Sequence, residues 1–193
     1  MEERTRKIIE TAMTLAEKGG FEAVRLRDVA SQSGVAIGTF YKRFKSKEDL
    51  LVAALDLEVS RMERRMQQAP GEGGSPEERV AFFFDAATKR LARKPMLARA
   101  VLKAVASGEP SLAEKVARFH DRTANMIVHA LWGDGKSNGA MGHSEEERQV
   151  AFILEQVWFT SLVGWTGGLH SKEEVIEHVR QAAKLLLRGM GTH

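Results

Sequence analysis

The chain of 193 residues contains no cysteine and only four prolines. The missing thiols exclude a disulfide scaffold, thiolate catalysis and any zinc or iron–sulfur site held by cysteines. No apolar run approaches the ~20 residues of a membrane-spanning helix. The charged first ten residues lack the apolar core of a secretory signal. We therefore expect a cytoplasmic globular protein with no membrane partner.

Sequence patterns for catalysis are also scarce. The six histidines form no HExxH box, and the chain has no phosphate-binding P-loop and no GxSxG nucleophile motif. His120 and His129 lie nine positions apart on one predicted helix, so they point in opposite directions and cannot share a metal. We expect no enzymatic activity, no metal site and no cofactor.

Most segments show the three- and four-residue spacing of apolar side chains that is typical of amphipathic helices, and strand-like alternation is missing. The pattern predicts an all-α fold of about nine helices. Glycine-rich stretches at 70–75 and 133–142 predict a linker and a mobile loop. The predicted helices cover about residues 3–18, 26–33, 37–44, 47–68, 76–94, 96–106, 111–132, 145–167 and 172–189.

Positive charge is concentrated in one short segment. Residues 25–47 carry six basic side chains and one acid, a net charge of +5, whereas the whole chain carries only +3. The rest of the chain therefore sums to −2. Such a local excess is what contact with DNA phosphates requires, because each neutralised phosphate releases condensed counterions.

The same segment predicts a helix-turn-helix, in which the second of two short helices enters the DNA major groove. Gly34 can take the positive φ of the tight turn. Phe40 and Phe44 share one helix face and should anchor the reading helix. Lys47 adds charge at the start of the next helix, where N–H groups already favour a phosphate. The exposed positions of the reading helix are expected at Ile37, Gly38, Thr39, Tyr41, Lys42 and Arg43.

The order and spacing at residues 21–30, 33–41 and 44–51 resemble the DNA reader of TetR-type transcriptional regulators, over about residues 4–55. The resemblance implies a homodimer that binds a near-palindromic double-stranded DNA operator and is usually released by a small-molecule effector. It implies a helix-turn-helix domain at 1–50 and a ligand-binding and dimerisation domain at 51–193. By matching position it implies DNA contacts for Arg27, Thr39, Tyr41 and Lys47, with Gly38, Lys42 and Arg43 at or beside the groove.

Two positions depart from the family pattern. Arg25 stands where the family often has a threonine that caps the second helix and meets phosphate, and Ala36 stands where it often has serine. Alanine is a poorer N-cap than serine by about 1 kcal/mol. We therefore expect phosphate contacts there from Arg25 and from backbone N–H groups. Ile37 is a candidate reader of a thymine methyl group.

The body is rich in large apolar side chains, which can line an adaptable pocket or form plain core. The family resemblance favours a pocket for a small hydrophobic effector. The candidates for lining it are Phe83, Met96, Phe119, Met126, Trp132, Trp158 and Phe159.

A second basic stretch lies between Asp85 and Glu109, where there is no acid. Like charges four apart on a helix repel each other. One explanation is an anionic effector such as an acyl-coenzyme A, held by Lys89 and Arg93. The alternatives are a solvated basic face or added attraction to DNA. Residues 90–102 and 150–165 are also faintly similar to the TetR branch that controls sterol and lipid breakdown, which favours the same effector class.

The last two predicted helices carry apolar stripes too broad for lone surface helices. In the family that the chain resembles, such helices pair across a two-fold axis, and intramolecular core is the alternative. The candidates for this interface are Leu154, Ser161, Leu162, Trp165, Val179, Ala183 and Leu186.

A different class of protein is also compatible with the basic segment. An architectural or membrane-surface protein could use the same kind of basic amphipathic face. Salt-dependent preference for a specific palindrome over random DNA distinguishes a regulator from this alternative.

Overall fold

The computed structural model describes residues 3–68, 74–133 and 144–190, and these residues form helices joined by short turns, with no strand. The predicted all-α fold is confirmed. The predicted linker and mobile loop lie mostly outside the described residues. The helices are α1 (Glu3–Ala23), α2 (Leu26–Ser33), α3 (Ile37–Arg43), α4 (Lys47–Gln68), α5 (Pro76–Ala92), α6 (Pro95–Val105), α7 (Ala113–Trp132), α8 (Glu145–Thr166) and α9 (Lys172–Gly189), with a 3-10 turn at Pro110–Leu112 before α7.

The first helix contains a glycine break near its end. Gly19 and Gly20 leave helical geometry, and Gly20 has a φ of +67°, a region that side chains other than glycine rarely enter. A Cβ atom on Gly20 would lie 3.1 Å from the methyl carbon of Met96. Glycine therefore ends the regular part of α1 and also lets α6 pack closely against it.

Serine side chains begin several helices. The Ser144 and Ser171 hydroxyls each accept a hydrogen bond from the backbone N–H three residues later, and the Glu147 and Glu174 carboxylates each accept one from the serine N–H. These capping boxes satisfy N–H groups that have no partner within the helix. At α4 the Ser46 hydroxyl accepts from the Asp49 N–H at 3.0 Å, but the Asp49 carboxylate accepts from the Lys45 N–H, also at 3.0 Å, rather than from the serine N–H.

The chain divides into two compact units that do not follow the predicted boundary at residue 50. The first unit comprises the described residues within Met1–Ser60 and Arg93–Ala117, and the second comprises those within Arg61–Ala92 and Arg118–His193. Both α4 and α7 run unbroken through a division point. The helix α6 therefore belongs to the same unit as α1, α2 and α3.

Each unit has its own buried apolar core. In the first, α6 packs on α1, and α1 packs on α2. In the second, α9 packs against both α5 and α8, and the indole N–H of Trp158 donates to Thr88 Oγ1 at 3.0 Å. Within the described ranges, no helix is both long and apolar enough to cross a bilayer.

The turn at Gly34 gives a test of backbone conformation. Its φ is +69°, and an added Cβ would meet no atom closer than 3.8 Å. Gly34→Ala should therefore lower the free energy of unfolding by about 1–2 kcal/mol through backbone strain alone. The matched control is Gly38→Ala within α3, where an added Cβ meets nothing within 4 Å and alanine favours the helix. Urea unfolding measures both variants, and equal effects would contradict the strain argument.

Candidate nucleic-acid interface

The turn between α2 and α3 is set by hydrogen bonds at the end of α2. Gly34 adopts the left-handed conformation, and its N–H is directed at the carbonyls of Ala30 and Ser31. The Val35 N–H then donates to the Ala30 carbonyl at 3.1 Å. This closes α2 and starts α3 two residues later, so the predicted helix-turn-helix is confirmed.

Two phenylalanines hold α3 in place, as predicted. Phe40 is completely buried and Phe44 nearly so, and their ring centroids lie 5.8 Å apart. Because these rings face the core, the other side of α3 faces solvent. Ile37 is 45% exposed and Tyr41 41% exposed on that side. The exposed residues among the nine predicted DNA contacts are Arg25, Arg27, Ile37, Gly38, Thr39, Tyr41, Lys42 and Arg43.

The N-termini of the two helices are not capped by side chains. Arg25 precedes α2 and Ala36 precedes α3, and neither side chain accepts a capping hydrogen bond. The first N–H groups of an α-helix have no partner within the helix. Those of α2 and α3 are therefore left without the cap that serine or threonine would supply.

Lys47, the ninth predicted contact, is half-buried rather than exposed. Its Nζ lies 3.1 Å from Glu22 Oε2 and 4.0 Å from the centre of the Phe21 ring. The sequence interpretation missed both partners because they lie on α1. Glu22, which supplies the carboxylate, is 25 positions before Lys47 in the chain.

The effector candidates divide between the two units. Met96 lies on α6 in the first unit, where its methyl carbon lies close to Gly20. The six others lie in the second unit. Phe83, Phe119, Met126 and Trp158 are buried there, whereas Trp132 and Phe159 are half-buried.

A buried carboxylate was missed by the sequence interpretation. Glu155 on α8 is completely buried, and its Oε1 lies 2.8 Å from His120 Nδ1 on α7. Gln156 donates to the other oxygen at 2.6 Å. The rings of Phe119 and Phe159 lie 5.0 and 5.2 Å from the His120 ring. One signal in the sequence was available, since Glu155 sits beside Leu154 in an otherwise apolar stripe.

The anionic-effector candidates, Lys89 and Arg93, lie on either side of the end of α5. Helix α5 ends at Ala92, so Arg93 does not continue the helix face of Lys89. Lys89 pairs with Asp85 one turn earlier, at 2.8 Å. Further along the basic stretch, Lys94 pairs with Glu17 of α1 at 2.5 Å. Part of this stretch therefore meets acids of other segments.

Most of the predicted interface residues lie in the core of the second unit. Leu154, Ser161 and Leu162 on α8, with Val179 and Ala183 on α9, are buried within the chain itself. The reason is that α8 packs on α9 and α9 on α5, which turns the apolar stripes inward. Trp165 and Leu186 are half-buried. The exposed apolar side chains of these helices are instead Phe152, Ile153, Val163 and Leu185.

The fold and the exposed helix define a helix-turn-helix DNA-binding protein, and comparison with known proteins identifies its family. The profile of the bacterial regulatory proteins of the tetR family matches residues 8–54, and the profile of the tetracyclin repressor-like C-terminal domain matches residues 73–186. The chain belongs to the TetR family. It is a DNA-binding transcriptional repressor, as the resemblance implied.

The relatives match nearly the whole chain. The HTH-type transcriptional repressor KstR of Mycolicibacterium smegmatis is 31% identical over 185 residues, which cover 96% of this chain and 87% of that protein. A TetR regulator from Rhodococcus sp. RHA1 is 26% identical with a TM-score of 0.83, covering 98% of this chain and 99% of the other. Thermus thermophilus FadR, solved with lauroyl-CoA, shares the fold with a TM-score of 0.76 at 19% identity, covering 96% and 94%.

Gly38 on the exposed face of α3 gives a direct test of groove contact. An added Cβ there meets no protein atom within 4 Å. A loss of DNA binding on substitution would therefore come from a clash with DNA and not from a disturbed protein structure. Gly38→Ala should weaken operator binding about tenfold, or 1.4 kcal/mol, without lowering stability. The matched control is Gly189→Ala at the end of α9, which also meets nothing within 4 Å. Unchanged affinity of Gly38→Ala in fluorescence anisotropy would remove Gly38 from the interface.

Proposed function

We propose that the protein is a ligand-responsive repressor that leaves a near-palindromic operator when its helical body binds a small hydrophobic or acyl-CoA-like effector. The observation that carries the DNA half of this proposal is the exposed face of α3, held outward by the buried Phe40 and Phe44. The effector half is supported by the shared fold of Thermus thermophilus FadR, whose structure contains lauroyl-CoA.

In this proposal, α3 enters the major groove and its neighbours hold the phosphates. Thr39 and Tyr41 lie on the exposed face of α3 and contact base edges or sugar–phosphate, while Ile37 packs against a thymine methyl group. Arg25 and Arg27 contact phosphates near the uncapped start of α2, and Lys47 does so at the start of α4. Phosphate contacts supply affinity and orientation, and base contacts supply sequence preference.

We further propose that the repressor is a homodimer. Two readers about 34–36 Å apart, one helical turn of DNA, match a palindromic operator. The surface proposed for the contact combines the exposed apolar side chains of α8 and α9 with the half-buried Trp165 and Leu186. Phe152 and Val163 are eleven positions apart, close to three full helical turns, so they lie on one face of α8. This face replaces the five core residues named from sequence.

The effector is proposed to enter the second unit among α5, α7 and α8. Phe83, Phe119 and Met126 supply apolar surface for an acyl chain. The His120–Glu155 pair supplies a polar group beside Phe119 and Phe159, where a thioester or other carbonyl could be recognised. Lys89 remains the candidate partner of a coenzyme A phosphate, because it is exposed and ion-paired only on the surface.

The operator is tested by selection from randomised duplex DNA, followed by footprinting. We expect one near-palindromic sequence, protected in two half-sites by a dimer. The double variant Thr39→Ala, Tyr41→Ala should reduce the preference for that sequence over random DNA by about tenfold or more, because lost base contacts cost ~1–3 kcal/mol each. Lys184→Ala on α9 is the control. Binding with equal affinity to random DNA would favour the architectural alternative, and a monomer in light scattering would contradict the dimer.

The effector class is tested with acyl-CoAs of increasing chain length. A long-chain acyl-CoA should release the operator. By mass action it should also raise the free energy of unfolding by about 2.7 kcal/mol at a hundred times its Kd, and so raise the melting temperature. Two controls separate the parts of the ligand: free coenzyme A tests binding without the acyl chain, and the matching fatty acid tests binding without the coenzyme A group. Glu155→Gln should weaken the response to acyl-CoAs of every chain length alike, because the pair is proposed to contact the thioester that all of them share. No release and no thermal shift with any acyl-CoA would exclude this effector class.

A further inference from the structure

Two lysines from different helices meet at one aromatic ring in the first unit. Lys47 at the start of α4 and Lys103 near the end of α6 place their Nζ atoms 4.0 and 4.2 Å from the centre of the Phe21 ring. The same Nζ atoms lie 3.1 and 3.3 Å from the two carboxylate oxygens of Glu22. We call these four residues the two-lysine cluster.

The two-lysine cluster carries more positive than negative charge. Two ammonium groups share one carboxylate, which leaves a net charge of +1, and like charges held together favour a second anion. The cluster is also open to solvent, because the side chains of Lys47, Lys103 and Glu22 are 28, 58 and 76% exposed. An anion from solution can therefore reach both lysines without rearrangement of the core.

The carboxylate of Glu22 is present as an anion at neutral pH. Hydrogen bonds from Lys47 and then from Lys103 lower the pKa of this carboxyl group from its ordinary value. Ion pairs this exposed contribute little to stability, so Glu22 can be displaced at small cost. The Phe21 ring meanwhile holds both ammonium groups through cation–π contact. The lysines are thus positioned before any ligand arrives.

We propose that Lys47 and Lys103 together bind one phosphate of the DNA backbone, and that Glu22 occupies this site while the protein is free. A phosphodiester, like a carboxylate, offers two oxygen acceptors to ammonium donors. The proposal rests on the proposed DNA-binding function and extends it. Lys103 lies on α6, outside the matched reader at residues 8–54, in the basic stretch for which added attraction to DNA was one of the alternatives.

The chain offers a matched control pair for this site. Lys94, just before α6, and Glu17 on α1 form an ion pair between the same two segments at 2.5 Å. Lys94 is nine positions from Lys103, about 13 Å along a helix. Substitutions at either pair change the net charge equally. A general effect of charge should therefore change DNA affinity to the same extent in variants of both pairs. A phosphate contact should change it only in variants of Lys103 and Glu22.

The experiment measures affinity against salt for the full-length protein. The probes are a duplex of arbitrary sequence and the selected operator, titrated at about 50–200 mM salt. Lys103→Gln should lower the slope of log affinity against log salt by about 0.9 for each bound reader. It should weaken binding to both duplexes alike, since a phosphate contact carries no sequence information. Lys103→Arg should restore the slope, and urea unfolding checks that the variants are folded.

Glu22 is tested in the same titrations. Glu22→Gln should strengthen binding to both duplexes by up to about fivefold, because no carboxylate then competes for the lysines. Lys94→Gln and Glu17→Gln should change neither the slope nor the ranking of the duplexes. The proposed site is overturned if Lys103→Gln changes the salt slope no more than Lys94→Gln does. It is also overturned if Glu22→Gln changes DNA affinity no more than Glu17→Gln does. If the unmodified protein shows no salt-dependent DNA binding, the proposed function fails instead.

Discussion

Burial of the Phe40 and Phe44 rings is the interaction on which the DNA-binding surface depends. Helix α3 has only seven residues, too few to be stable alone in water, and no side chain caps its start. Its stability therefore comes from tertiary packing of one face. The rings also fix the rotation of α3, because a helix with one face buried must present the other. The left-handed turn at Gly34 then sets where α3 begins.

The distribution of charge follows the compact units. Helix α6 packs on α1, so its lysines meet α1 acids: Lys94 meets Glu17 and Lys103 meets Glu22. The Asp49 carboxylate accepts a hydrogen bond from the Lys45 N–H and pairs with Lys115 at the start of α7. Two segments outside the predicted reader thus reach its charged residues. The unit that contains the helix-turn-helix is larger than that motif, because it also includes α6 and the start of α7, which lie later in the chain.

In the second unit, packing decides between two interpretations of the apolar stripes on α8 and α9. Leu154, Leu162 and Val179 were compatible with an interface or a core, and packing of α9 against α5 and α8 makes them core. Glu155 lies beside Leu154 on α8 and is completely buried, with His120 and Gln156 as its hydrogen-bond partners. A buried carboxylate needs such partners, since burial without them costs several kcal/mol. Among the described residues of this unit, Thr88, Thr123 and Ser161 are also buried polar residues, and Glu155 is the buried acid among them.

The sequence by itself determined the helices, the turn and the anchors of the reader. Those features depend on neighbours within a few positions: glycine at a positive φ, rings four residues apart, and serine three residues before a helix N–H. Only the tertiary structure decided which residues meet across long separations. Glu22 with Lys103, His120 with Glu155, and Met96 with Gly20 are pairs between helices whose relative placement no local pattern encodes. Periodicity states that a helix has an apolar face, and packing decides what that face contacts.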